Sequence, residues 1–434
     1  MVSAVIVAAM PAMSMGQSLD QVLSEALALN PTLHSADLSA LAAEADVELA
    51  GADALPRLDL SLNGKLDWSA SGTLTSTKTM SLGLDYSHTL FDSGRTAARV
   101  DAATASTIAT RHRADEIEQQ VLGSVVSAYF DVLRDRQLIE IRRDSAQFYA
   151  EQVSNVKALM AANGGTRIEL AQAQARSAQA DAALREAELA LQTSSASFVR
   201  WAGREPGRLT FPKRSATHLP KSLQHAWELA DRAHPALLSA RANATAAEFA
   251  ADAAAADFGP TLQFSSSVCA IQCGSVSQPT SLAGSMQLAL KVPLYSGGRA
   301  GAESRKANLL LIKSEFDGLS RRDEIREALT VAWAEVGDAD AQIAAAQTSV
   351  GVSEEILDAL LVLRDAGTQT TLAVLDAQIE LVEARERLLF ARVKAGVAVY
   401  ALLAGTGLLS AEGLGLNPRP QIDVAANDSW NGLR

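Results

Sequence analysis

The chain has 434 residues, enough for two or three ordinary domains, and a formal net charge of −12. That acidity argues against nucleic acid as a partner. Aromatic residues make up only 5% of the chain while alanine is frequent in helix-periodic stretches, which points to long, closely packed helices.

Residues 1–16 carry no charged side chain, and the apolar run from Val2 to Met10 is too short to span a bilayer. Ser14 and Gly16 stand at −3 and −1 of a cut before Gln17, so a secretory signal peptide is expected, although its usual Lys/Arg region is missing. No cysteine follows the run, so a lipid-anchored N-terminus is not expected. No later stretch reads as a transmembrane helix; if the chain crosses a membrane, it does so as strands.

A short helix over 19–29 should stop at Asn30-Pro31, because the residue before proline avoids the helical region. A second helix should end near Pro56. Strands follow at 57–69 and 78–91, then a long helix over 94–161, a break at Asn163-Gly164-Gly165, and a returning helix over 166–201. A linker, 206–221, leads to helices over 222–233 and 235–257 and to strands at 261–270 and 281–294. A second long helix over 298–364, a returning helix over 368–404 and a tail, 406–434, complete the chain.

The order is the same twice. Leu19 answers to Leu223, Pro31 to Pro235, Pro56 to Pro260, and LFDSGR at 90–95 to LYSGGR at 294–299. The first repeat is 17–205 and the second 222–405. The offset then shortens by two near the end, pairing Gly165-Thr166 with Gly367-Thr368 and Trp201-Ala202-Gly203 with Leu403-Ala404-Gly405.

Helices of this length, roughly 100 Å at about 1.5 Å per residue, must bury their apolar stripes against other helices. In the second long helix Leu329, Val336, Ile343, Val350 and Leu357 recur every seven residues, and Ala332, Ala339, Ala346, Ser353 and Leu360 follow three positions later. In the first, Val125, Val132, Ile139, Ala146, Val153 and Met160 do the same. Sustained heptads indicate left-handed coiled-coil packing.

The strands alternate. Leu58, Leu60, Leu62, Leu66 and Trp68 oppose Asp59, Ser61, Asn63, Lys65 and Asp67; Leu282, Met286, Leu288, Leu290, Val292 and Leu294 share one face of the last strand. Each segment is long enough to cross a bilayer at a steep tilt. Four strands cannot close a membrane barrel, and an open edge in lipid leaves backbone groups unpaired; three copies would supply twelve strands and remove the edge.

With these features the chain resembles the TolC family of trimeric outer-membrane exit ducts. The resemblance rests on the doubled layout, on the junctions LFDSGR and VPLYSGGR (292–299), and on GTQTTLAVLDAQ at 367–378. At the junctions Pro293 ends strand pairing, and Gly94, Gly297 and Gly298 allow a sharp turn into a helix. The resemblance implies a mainly α chain with a small transmembrane β part: a homotrimer with a twelve-stranded barrel in outer-membrane lipid and an α-helical periplasmic tunnel. It also implies a periplasmic adaptor and an inner-membrane ABC or RND transporter as partners. Gly165, Thr166, Gly367 and Thr368 would be adaptor-facing tips. At the entrance Asp376 would form a negative ring favouring cations, or lie as a solvated helix-surface residue. Where the family often has another acid stands Ala373, and where it has a pairing base stands Gln369; Arg167 offers a substitute charge.

No phosphate-binding loop, zinc-protease motif or nucleophile elbow is present, so neither enzymatic activity nor a cofactor is expected. Cys269 and Cys273 leave three readings open: a disulfide, free thiols or a metal site. A passive export duct is the expected function, in type I protein secretion or multidrug efflux. The alternative is a periplasmic coiled-coil scaffold without a pore.

Overall fold

The structure, a computed structural model, describes residues 17–70, 74–162, 164–212, 219–273 and 281–419; of 69, 70, 74–77, 271–273 and 281 it describes the backbone alone. The expected signal peptide, part of the linker and the end of the tail lie outside the described residues.

The elements run α1 (Leu19–Leu29), α2 (Pro31–Ala52), β1 (Arg57–Ala70), β2 (Leu74–Phe91), α3 (Arg95–Ala161) and α4 (Arg167–Ala202). The second set is α5 (Leu223–Ala233), α6 (Pro235–Ala256), β3 (Thr261–Cys273), β4 (Ser281–Lys291), α7 (Arg299–Asp365) and α8 (Thr371–Thr406). Each helix has a partner of equal length in the other set: α3 and α7 have 67 residues each, α4 and α8 have 36.

This corrects the expected shortening of the offset. The returning helices start at N-caps Thr166 and Thr370 and end at left-handed glycines Gly203 and Gly407, so the spacing of the helices never changes. Both threonines accept from the amide three residues on (Glu169 and Ala373), satisfying a donor that would otherwise be orphaned at the helix start. Gly367 and Thr368 therefore close α7 rather than open α8. Gly367 has a φ of 75°, its amide donates to the Arg364 carbonyl, and that of Thr368 donates to the Leu363 carbonyl.

Two strand ends also differ. β2 begins at Leu74, because the polar run Thr75–Lys78 pairs with β1 although it lacks alternation. β4 stops at Lys291, since Pro293 has no amide to donate to a ladder.

Contacts divide the chain into two compact units, each drawing on both repeats. One unit (37–114 and 236–322) holds the sheet, an antiparallel β1-β2-β3-β4 meander. The register aligns Leu60 with Leu84, Leu84 with Val268, and Val268 with Gly284, and in the next row Leu62, Leu82, Ala270 and Leu282.

The other unit (1–36, 115–235 and 323–434) contains the main hydrophobic core. Leu19, Val22, Leu23 and Leu27 of α1 pack on Leu122, Val125, Tyr129 and Phe130 of α3, with Phe198 and Leu409 completing the cluster. The Tyr129 hydroxyl donates to the Thr210 carbonyl at 2.6 Å and lies 2.9 Å from the Gln17 carbonyl, which brings chain segments far apart in sequence to one buried group. The heptads of α3 are buried at Val125, Val132, Ile139 and Ala146 and half-buried at Val153 and Met160; those of α7 are nowhere fully exposed. A further row, Ala173, Ala180, Ala187 and Ser194 of α4, is buried at the same seven-residue spacing.

One helix departs from the expectation that none is apolar enough to cross a membrane. α8 contains an 18-residue window of mean hydropathy 1.6. Val374, Leu375, Leu381 and Leu402 among its apolar residues are buried, while Leu372 and Phe390 are exposed.

Candidate functional site

Three features bear on function. The first is the apolar face of the sheet. Leu60 is 73% exposed, Trp68 74%, Leu282 78% and Met286 82%, with Leu58, Leu62, Leu288 and Leu290 exposed beside them. In water each such leucine forgoes about 1.5–3 kcal/mol of burial, so a continuous face of them marks a surface made for an apolar surrounding. The opposite face is polar. Asp59 stands against Asp85, Ser61 donates to the Asp85 carboxylate at 3.1 Å, and Ser267 and Ser285 share a hydrogen bond of 2.9 Å.

The second feature is the pair of strand-to-helix junctions. After β2 the chain turns through Ser93 (φ 60°) and Gly94 (φ 82°); before α7 it turns through Gly297 (φ 63°) and Gly298 (φ 82°). Ser93 is the one non-glycine residue with positive φ among the described residues. Its hydroxyl donates to the Pro260 carbonyl at 2.7 Å, which anchors the first junction to the start of β3. Asp92 accepts from the Thr96 amide (2.8 Å) and the Thr96 hydroxyl (2.5 Å). Burial pushes its carboxyl upward, but the Thr96 bonds and the Arg95 charge outweigh it, holding the group below the ordinary aspartate range.

The third feature is the two helical tips. Thr166 and Glu169 form a reciprocal capping box. Gly165 is confined, since a Cβ there would lie 3.1 Å from Met160. Arg167 and Gln369 are exposed, and neither side chain has a hydrogen-bond or ion-pair partner among the described residues. Asp376 meets a different cation: Arg176 of α4 donates to its carboxylate at 3.0 Å. Beneath this pair the buried Tyr149 hydroxyl of α3 donates to the Leu375 carbonyl at 3.1 Å, and burial pushes that phenol up to about 12. Tyr149, Arg176 and Asp376 thus link α3, α4 and α8.

Further polar ties surround them. Arg364 of α7 donates to Gln152 of α3 at 2.6 Å, and Arg142 of α3 pairs with Glu386 of α8. Arg385 of α8 pairs with Glu354 of α7. Sequence reasoning missed Arg176, Arg364 and Tyr149. Nothing in local spacing marks them, because each becomes a partner only once the helices are packed side by side.

The cysteine pairing does not fit. Both cysteines lie on β3, four residues apart in an extended strand, which separates their Cα atoms by about 13 Å. A disulfide reaches about 7 Å at most. Cys269 is a free thiol; the side chain of Cys273 lies outside the described residues. No group of three or more metal-ligating side chains occurs among the described residues.

Against known proteins, the chain matches the family model described as "Outer membrane efflux protein" over residues 22–204 and 227–408. It is 30% identical over 440 residues to the outer membrane efflux protein BepC of Brucella suis, covering 97% of this chain and 93% of that one. It is 28% identical over 361 residues to the alkaline protease secretion protein AprF of Pseudomonas aeruginosa, covering 77% and 73%. Among solved structures, the CmeC outer membrane channel of Campylobacter jejuni superposes with a TM-score of 0.81 at 15% identity, over 95% of this chain and 88% of CmeC.

Proposed function

The chain belongs to the outer membrane efflux protein family, and from that membership we propose that it works as the passive outer-membrane exit duct of a tripartite export system in a Gram-negative bacterium. It spans the outer membrane and extends into the periplasm. Cargo moves because an energised inner-membrane transporter drives it into a duct that binds no nucleotide itself. The observation that carries this reading is the four-stranded sheet, whose apolar face is bare while its other face is polar. A scaffold without a pore leaves that face without a purpose.

The assembly is a homotrimer. β1 and β4 are the edges of the sheet, each paired on one side only, and three copies supply twelve strands with no edge left open. Apolar side chains on α7, Leu309 and Phe316 both 66% exposed, fit contacts with another copy. The tips at Gly165-Thr166 and Gly367-Thr368 face the periplasmic adaptor, and the transporter behind it is of the ABC or RND type. The likeness to BepC favours efflux and that to AprF favours protein secretion.

The Arg176–Asp376 pair lines the entrance. Because the arginine offsets the carboxylate, three copies form a nearly neutral ring rather than a strongly negative one. Reconstitution in planar bilayers tests both points. The purified protein should open an ohmic conductance without nucleotide, and Asp376→Ala, which frees three guanidinium groups, should shift the reversal potential toward anions. No conductance sinks the duct; an unchanged reversal potential removes the pair from the conducting path.

A further inference from the structure

In the unit that carries the main core lies a cavity of about 520 Å³, within the range of small-molecule sites. Its floor is apolar. The Phe130 ring lies directly on the α8 backbone, where a Cβ on Gly396 would come within 2.4 Å of it, and Phe211, Val399 and Leu403 continue the surface. Tyr400 sits 6.5 Å from Phe130, centroid to centroid, and closes one side.

The polar groups at the cavity are its solvent-facing part: Asp20, Gln137 and Arg392 are exposed and Tyr400 half-buried. Arg392, Gln137, Asp20 and the Tyr400 hydroxyl line it, and none of these side chains has a hydrogen-bond or ion-pair partner among the described residues. Asp20 has a local reason to be there, since it occupies the first turn of α1, where the helix dipole favours negative charge. Arg392 has no such reason. It stands in the interior of α8 and shares the cavity with the Asp20 carboxylate without forming an ion pair to it.

The other two groups act with Arg392 as donors. Burial pushes the Tyr400 hydroxyl up to about 12, with Asp20 and Tyr129 adding to the shift, so it keeps its proton at neutral pH. The Gln137 side chain offers two N–H groups. Donors gathered above an aromatic floor match an acceptor-rich head on an apolar body.

We propose that this cavity binds a small amphipathic anion, an aromatic or aliphatic body seated on Phe130, Phe211 and Val399 with its carboxylate or sulfonate held by Arg392. Its occupancy does not depend on the duct reading.

The test is isothermal titration of 2-naphthalenesulfonate into the detergent-purified full-length protein. Two substitutions at the cavity wall, Arg392→Gln and Ile343→Trp, accompany it, each checked for unchanged particle mass. The expected result is saturable binding at one site per chain, weakened at least tenfold by Arg392→Gln and abolished when Ile343→Trp fills the space. Neutral 2-naphthol should bind at least tenfold more weakly than the sulfonate. Absence of binding to the unsubstituted protein overturns the proposal, and so does binding that ignores Ile343→Trp. Equal affinity for sulfonate and naphthol, or indifference to Arg392→Gln, overturns the assignment of an anionic ligand.

Discussion

At the first junction the backbone leaves almost no room. A Cβ on Gly259 would stand 2.3 Å from the Ser93 hydroxyl oxygen, and Ser93 cannot retreat because it holds the Pro260 carbonyl from a left-handed conformation. Gly259→Ala should therefore cost about 1–3 kcal/mol, the usual range for overpacking, read as a lower thermal midpoint; an unchanged midpoint would mean that the junction yields easily. The second repeat solves the same turn with Gly297 in place of Ser93, giving up a side-chain anchor for a relaxed backbone. Asp92 caps the neighbouring helix, and Asp92→Asn should cost about 1 kcal/mol at neutral pH. The sign follows from its lowered pKa. The stabilisation is complete above the ordinary aspartate range and is lost as pH falls through the lower, folded-state value. The difference between variant and parent in thermal midpoint should thus shrink in acid, and a difference constant down to pH 2 would contradict the assignment.

At the scale of elements, proline and heptads made most of the helices legible. Pro31 and Pro235 begin helices whose predecessors stop two positions earlier, and the seven-residue row of α3 is mostly buried while that of α7 is buried or half-buried. What could not be read was set by capping and by packing between distant segments. Gly-Thr at 165–166 and at 367–368 look alike, yet the first precedes a helix and the second ends one, a distinction made by backbone hydrogen bonds rather than composition. Asp376 was visible as an acid near a tip, while its partner Arg176 lies 200 residues away in the chain. The strands were legible because alternation there is nearly complete. Their apolar face gives the prediction at this scale: Leu60→Lys or Leu288→Lys should cost about 2–4 kcal/mol if the position faces the middle of a bilayer. Either change should then prevent assembly in the outer membrane, whereas Ser61→Lys, on the polar face, should be tolerated. Normal assembly of both leucine variants would show that the face meets something other than lipid.

At the scale of the molecule, the single chain is incomplete in a consistent way. Its sheet has two edges, one face of that sheet is bare hydrocarbon, and α7 carries apolar side chains with no cover in one copy. A soluble monomer would hold these together only at a large cost in exposed apolar surface. Closing four strands per copy into a barrel of twelve removes the edges, gives the apolar face to lipid and turns the polar face, with Asp59, Asp85 and the serines, toward a water-filled lumen. Edge chemistry requires more than one copy, and three copies are the number proposed from the family likeness. The copy number is therefore the point on which the account is most exposed, and the mass of the particle extracted by mild detergent from the outer-membrane fraction tests it most directly. The account predicts three chains per particle in that fraction; a monomer released with the soluble periplasmic proteins would contradict it.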